Sequence, residues 1–457
     1  MTDAYLESVN PATEEVVGRH RVHSEAEVSA ALRSAHDAFL RWRHEPLSER
    51  ARLLRALAAG LRERKDEFAR LITTEMGKPI VEARAEVERC AVNCEYYAEN
   101  GPRFLADEAV DTSASQSVIR FQPLGCVLAV MPWNLPFWQV FRCTAPALMA
   151  GNAVVLKHAS NVSQCALAIE NLVRDVGFPA GLFVVVLMRG REAERLVEHD
   201  LVRAVTVTGS DATGARIASL AGAHIKKTVL ELGGSDPFVV LPDADLDAAA
   251  AAGARSRNIN AGQSCIAAKR FIVHDSVADA FEARLVASVE ALILGDPLNE
   301  ATSVGPLARP DIRAALEDQV ARSVAAGARV LVGEGRPDGP GYYYLPTVLA
   351  DVRLDMPVFR EETFGPVAAV VRVADQDEAI ALANDTRYGL GAAVWSRDLD
   401  RAWVVAGRLE AGTIVINGIV ASDPRMPFGG VKASGYGREL SSFGLREFVN
   451  VQSVWVT

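Results

Sequence analysis

The chain has 457 residues, 49% of them hydrophobic and 23% charged, and a formal net charge of −10. That length implies two or three cored domains, and the composition excludes a disordered chain; 6 cysteines is ordinary intracellular usage and excludes a disulfide scaffold. The acidic balance argues against nucleic acid as a partner, and no uninterrupted apolar run approaches membrane-spanning length.

The first third predicts helices. Residues 24–40 carry alanine, leucine and valine at helical spacing behind a Ser24/Glu27 capping box, and 48–70 and 78–100 continue the pattern. From Gly125 the texture changes. Short apolar runs at 126–131, 153–156, 182–187 and 204–207 predict buried strands. They alternate with helical stretches at 145–149, 163–176, 192–198 and 212–220. Strands alternating with helices imply a parallel sheet with right-handed crossovers. A second series holds strands at 229–232, 237–241 and 270–274 around an alanine-rich helix at 245–257, followed by strands at 367–373 and 412–417. The tail, 447–457, alternates like an edge strand. The expected architecture is α/β: two parallel-sheet domains and a small strand element. The N-terminus has no basic patch followed by an apolar core, so a cytoplasmic location is the default.

Five segments could carry chemistry. Cys265 sits in a polar, glycine-containing loop between a helix and a strand, where a thiol is accessible; the other cysteines lie in apolar segments. There is no C-x-x-C pair and no histidine pair at ligand spacing, so no metal site is expected. Glu231 lies at an apolar strand end before two glycines, where a carboxylate is either ion-paired or a base of raised pKa. Asn134, between Pro132 and Pro136, presents a rigid amide at a strand's C-terminal end, which suits either an oxyanion or a simple Asx-turn. Gly209 and Ser210 open a helix after a strand, a place for an anion. Lys157 ends a strand, where a cation can meet ribose or phosphate or remain solvated.

Taken together and in the chain order Asn134, Lys157, Gly209, Glu231, Cys265, the segments resemble the aldehyde dehydrogenase superfamily. The matching residues are PWNLP at 132–136, VVLKHAS at 154–160, TGS at 208–210, LELGGSDP at 230–237, GQSC at 262–265, EETFGPV at 361–367 and PFGGVKASGYGRE at 427–439. The stretch 421–455 further resembles the bacterial succinate-semialdehyde dehydrogenases of that superfamily. The resemblance implies two Rossmann-like domains. Residues 1–105 and 124–229 would bind cofactor, 230–430 would be catalytic, and 106–123 with 431–457 would form an oligomerisation element in a homodimer or homotetramer. It implies that Cys265 attacks an aldehyde carbon, that Asn134 and the Cys265 N–H hold the oxyanion, and that Glu231 activates water against the thioester. Glu362 would bind the nicotinamide ribose, Phe364 would place the ring, and Trp133 and Leu232 would lie along the cofactor.

Departures from the family pattern carry information. Where relatives often have Lys-Pro-x-Glu, this chain has Lys157, His158, Ala159 and Ser160. Without the carboxylate, a 2′-phosphate is not repelled, Ser160 can donate to it and Lys157 can pair with it, so NADP is expected over NAD. Arg142, with Ser422 and Arg425, is the candidate set for a substrate carboxylate. Ile259 replaces an arginine of some relatives, and Ala267 removes the partner for a local disulfide switch. The expected reaction is succinate semialdehyde to succinate. The alternatives are a dehydrogenase for another small aldehyde, a CoA-acylating member, and a cofactor-independent cysteine esterase; an inactive binding protein is disfavoured by the presence of all three chemical residues.

Overall fold

The computed structural model describes residues 5–457. Two parallel-dominated sheets form its body. The six-stranded sheet runs Gly435–Tyr436, Lys227–Glu231, Val202–Thr208, Cys126–Met131, Ala153–His158, Phe183–Val185. All its pairings are parallel except the first. The seven-stranded sheet runs Arg329–Val332, Thr347–Ala350, Val367–Val373, Ala268–His274, Asp236–Val240, Gly391–Trp395, Thr413–Ile416, again parallel except at its first pair. Helices cover both faces, so the central strands are buried on both sides and read as continuous apolar runs. No helix of the described residues is long and apolar enough to cross a membrane.

In the six-stranded sheet the chain order reverses beside Cys126–Met131. The chain passes outward through Ala153–His158 and Phe183–Val185, then returns to pair Val202–Thr208 on the other side. Such a switch point opens a crevice at the strands' C-terminal ends. Residues 132–136 and 209–210 both start there.

Local chemistry explains most elements. Ser24 accepts the Glu27 N–H while the Glu27 carboxylate accepts the Ser24 N–H, so the expected capping box starts the helix Glu25–Trp42. The single helix expected over 48–70 is two, Leu47–Glu63 and Lys65–Met76. They meet at Arg64, whose backbone leaves helical geometry (φ −100°, ψ 19°) while its guanidinium pairs with Glu67 and covers the Phe68 ring. The N-terminal part is not all helix either. Tyr5–Val9 and Val16–Arg21 form an antiparallel ribbon with only alternate residues buried and a Glu7–Arg19 ion pair outside. Its apolar signal is too thin for periodicity to register.

The tail strand Val449–Val456 pairs along its length with Gln116–Pro123, which also pairs Glu108–Ala109. It is an edge strand, with Val451, Trp455 and Val456 exposed. The stretch 431–457 is nevertheless divided. Gly435–Tyr436 joins the six-stranded sheet beside Glu231 rather than the small one. Gly435 has φ +107°, and a Cβ there would sit 2.1 Å from the Leu230 carbonyl oxygen, so only glycine permits this pairing.

Candidate active site

Cys265 lines a cavity of about 660 Å³ together with Arg89, Trp138, Arg142 and Ser422. Asn134 and Glu231 stand beside the thiol, Asn134 bonded to the Gln263 carbonyl and Glu231 next to the Cys265 side chain. Cys265 is 8% exposed, on the loop between the helix Leu246–Asn258 and the strand Ala268–His274. This loop is held by side chains. Asn134 Nδ2 donates to the Gln263 carbonyl at 3.1 Å, and Asn260 Nδ2 donates to the Asn134 carbonyl at 2.8 Å. Asn260 and Ala261 take left-handed φ of 55° and 52°, a strained conformation that survives only when neighbours over-determine it. Here the Glu82 carboxylate accepts the Asn260 N–H at 2.8 Å and the Gln263 side chain donates to the Asn260 carbonyl at 3.0 Å.

Glu231 is 1% exposed and paired, as an embedded carboxylate must be. Its partner is Arg142, which donates Nη2 to Glu231 Oε2 at 2.8 Å and places Nε 2.6 Å from Glu439 Oε2. The same guanidinium lies 4.9 Å from the centre of the Phe428 ring. Arg142 was expected to face a substrate carboxylate; instead two protein carboxylates occupy it, because both are buried and need a counter-charge. Burial would lower the Arg142 pKa, but Glu439 and Glu231 hold it above its ordinary value. Glu439 is pushed up to about 7, by burial first, against the pull of Arg142 and with a further push from Glu231. Burial and the neighbouring Glu231 hold the Cys265 thiol well above its usual range.

Of the other substrate candidates, Ser422 lines the cavity and accepts the Trp138 indole N–H at 3.2 Å. Arg425 does not. Its side chain is 78% exposed and its guanidinium pairs with Asp423 at 2.6 Å, two residues away in the same loop. Arg89, which nothing in the sequence flagged, lies exposed on the cavity wall with its guanidinium 5.4 Å from the Trp138 ring. Its signal was helical phase: Glu82, Glu86 and Arg89 share one face of the helix Ile80–Phe104.

The cofactor candidates split similarly. Trp133 and Phe364 meet edge to face, ring centres 5.7 Å apart. Leu232 packs on Gly214, where a Cβ would sit 2.4 Å from its methyl group. Ser210 caps the helix Asp211–Ala223, and a Cβ on Gly209 would meet only open space. Lys157, 6% exposed, has its pKa pulled down to about 8 by burial, with only partial restoration by Glu192. Ala159 and Ser160 are half-buried beside it. Glu362 accepts the Gly234 N–H at 3.0 Å. His158 is the exception. Its Nδ1 accepts the Ala159 N–H at 2.9 Å and its Nε2 meets the Pro136 carbonyl at 2.8 Å. Burial lowers its pKa to about 4, so it is a neutral tie between two backbone loops with no ring nitrogen left for a ligand.

No group of three or more His, Cys, Asp or Glu among the described residues could hold a metal. What the arrangement can do is nucleophilic chemistry at a carbonyl carbon: a thiol, a carboxylate beside it, and an amide anchored to the thiol's own loop. A crevice fit for an anionic dinucleotide lies next to them.

That fold and site define a class, and comparison states it directly. The chain belongs to the aldehyde dehydrogenase family, whose model matches residues 1–454. It is 52% identical over 451 residues to a protein of Synechocystis named "Probable succinate-semialdehyde dehydrogenase (NADP(+))", covering 99% of each chain. It is 48% identical to a succinate-semialdehyde dehydrogenase (NADP(+)) of Mycolicibacterium paratuberculosis, covering 99% of this chain and 96% of that one. Among solved structures it is similar to succinic semialdehyde dehydrogenase from Streptococcus pyogenes in complex with NADP+, with TM-score 0.96, 37% identity and 99% of each chain covered.

Proposed function

We propose that this protein oxidises succinate semialdehyde to succinate with NADP as the electron acceptor. The observation that carries the reading is the grouping of Glu231 and Asn134 around Cys265 at the cavity it lines, in a chain about half identical to proteins named for this reaction.

The crevice suits the cofactor. The Lys157 ammonium has no hydrogen-bond or ion-pair partner among the described residues, only a longer-range attraction to Glu192. A 2′-phosphate would supply one, and Ser160 would donate beside it. Open space above Gly209 admits a pyrophosphate against the start of the helix capped by Ser210. Glu362 would take the ribose hydroxyls, with Trp133, Leu232 and Phe364 around the ring. Bound there, the nicotinamide supplies the acceptor for the hydride that leaves the aldehyde carbon.

The chain's own residues do the rest. Cys265 sulfur bonds to the aldehyde carbon as its proton passes to the neighbouring Glu231 carboxylate. The carbonyl oxygen, now negative, takes hydrogen bonds from the second Asn134 amide hydrogen and the Cys265 N–H. After oxidation the carbon is a thioester on Cys265. Glu231, its borrowed proton returned to solvent, draws a proton from water as the water oxygen attacks. The carbon–sulfur bond breaks and the carboxylate product leaves. Arg142 orients Glu231 for both steps through its hydrogen bond.

The substrate's carboxylate lies along the wall of Arg89, Trp138 and Ser422. Arg89 has no carboxylate partner among the described residues, and Ser422, accepting from Trp138, keeps its own hydrogen to donate. The exposed edge of Val449–Val456 supports a homodimer or homotetramer. Residues 1–105 and 124–229 would serve the cofactor and 230–430 the nucleophile, in a cytoplasmic enzyme.

The test is an activity matrix of succinate semialdehyde, butanal and other small aldehydes against NADP and NAD, with Cys265→Ala as the blank. The reading expects the largest kcat/KM for succinate semialdehyde with NADP. Preference for a neutral aldehyde would overturn the substrate assignment. Ser160→Glu should shift the NADP:NAD ratio of kcat/KM toward NAD by about tenfold or more, the cost of a like charge near the phosphate. An unchanged ratio would overturn the cofactor assignment.

A further inference from the structure

Lys269 is fully buried, at 0% exposure, near the start of the strand Ala268–His274. A buried ammonium is costly unless its donors are satisfied. Its Nζ donates to the Cys265 carbonyl at 2.8 Å and to the Ser264 carbonyl at 3.1 Å, and lies 3.4 Å from Glu362 Oε1. Its donors are directed to acceptors of the nucleophile loop and of the carboxylate assigned to the nicotinamide ribose. The same Oε1 accepts the Gly234 N–H, and Gly234 passes so close to the Cys265 carbonyl that a Cβ there would sit 2.5 Å from its oxygen. Nearby, Arg257 repeats the device from the other side, donating to the Gly262 carbonyl at 2.6 Å and the Thr363 carbonyl at 3.4 Å.

Peptide geometry gives the first of these contacts a consequence. The Ser264 carbonyl and the Cys265 N–H belong to one planar trans peptide and point in opposite directions. Whatever fixes that carbonyl aims that N–H, the backbone donor assigned to the oxyanion. We propose that Lys269 is a positioning residue that locks the Ser264–Cys265 peptide plane to the Glu362 carboxylate, so that the oxyanion donor and the ribose-binding carboxylate are set by one buried cation. This rests on the dehydrogenase reading above. Two further groups bear on the same charge: Asp236 attracts the ammonium and Arg257 repels it, while burial lowers its pKa.

Lys269→Met keeps length and volume but removes the donors, and Lys269→Arg restores a cation. The readouts are kcat and KM for NADP and for succinate semialdehyde, hydrolysis of p-nitrophenyl acetate without cofactor, and thermal unfolding. Lys269→Met should lower both kcat and ester hydrolysis by about 10- to 100-fold, somewhat less than outright loss of an oxyanion donor. KM for NADP should rise severalfold, with KM for the aldehyde within twofold, and Lys269→Arg should recover most of each loss. If Lys269→Met leaves ester hydrolysis and KM for NADP at parental values, the proposal is overturned. It is also overturned if apparent kcat and ester hydrolysis fall only in proportion to the loss of folded protein, with KM for NADP and for the aldehyde unchanged. Should Lys269→Met fail to fold, Lys269→Leu, which also removes the donors, carries the same criteria. The ester assay reads the peptide plane even if no aldehyde reduces NADP, so failure of the dehydrogenase reading stays distinguishable.

Discussion

The two large sheets contribute to the site from opposite strand ends. The six-stranded sheet offers Asn134, Lys157, Gly209 and Glu231 at, or a few residues beyond, the C-terminal ends of its strands. The seven-stranded sheet offers Cys265 and Glu362 from loops that precede its strands Ala268–His274 and Val367–Val373. On the first side each functional group sits at a strand end with few ties: Lys157 has no hydrogen-bond or ion-pair partner among the described residues, the Asn134 amide donates only to the Gln263 carbonyl, and Glu231 pairs with Arg142. On the second, functional groups are knitted into their loops. A Cβ on Gly262 would lie 2.4 Å from the Gly365 carbonyl, one on Gly233 would lie 2.5 Å from Glu362, and Lys269 and Arg257 bridge the rest. The strand-end side is therefore modular, and the loop side is an interlocked unit.

The harshest trial of that contrast is Arg142→Met. It strands two buried carboxylates, so unfolding free energy should drop by about 3–5 kcal/mol. In the folded fraction kcat should fall equally for succinate semialdehyde and butanal. A rise in KM confined to succinate semialdehyde would return Arg142 to the role of carboxylate anchor.

Glu231→Gln comes next and should split two readouts. Turnover should fall by about 10²- to 10³-fold as the base is lost. Alkylation of Cys265 by iodoacetamide at pH 8 should slow by less than about tenfold, because it needs no activated water and solvent hydroxide can take the thiol proton in place of Glu231. Parallel loss of both would mean the strand-end side is not modular.

Gly262→Ala probes the other side. Gly262 has φ +74°, and the added methyl meets the backbone of Gly365 and Pro366. We expect a loss of about 1–3 kcal/mol in stability, with kcat falling and KM for NADP rising together. A change in kcat alone would show the two loops to be independent.

The smallest effect concerns pH. Glu439 is held at about 7 in the fold against 4.5 when unfolded. The folded state therefore binds more protons between these values, and the contribution of Glu439 to stability is present below pH 4.5 and lost as pH rises through 7. Thermal midpoints of Glu439→Gln measured from pH 5 to 8 should fall less steeply than those of the parent. Parallel slopes would place the titration elsewhere.

Legibility followed the same division. Asn134, Lys157 and Glu231 could be found from apolar runs and the residue that ends each, since open α/β sheets bind at those ends. Cys265 was legible as the one thiol in a polar loop, but Lys269 and Glu439 were not, because a charged residue at the start of a strand or after a glycine-rich stretch looks solvated until packing buries it. His158 and Arg142 misled for the same reason. Each has the right chemistry at the right offset, and only burial shows that backbone carbonyls or carboxylates have already claimed it.

By itself the sequence determined the alternation of buried strands and helices and offered Cys265, Glu231 and Asn134 as the candidate thiol, carboxylate and amide, because these depend on residue type and short-range spacing. Tertiary structure alone decided which charges are spent inside the protein and which face a ligand. The counter-ions of Arg142 and Lys269 come from segments up to some three hundred residues away along the chain, and the cost of burying an ion depends on where it ends up, not on its place in the sequence.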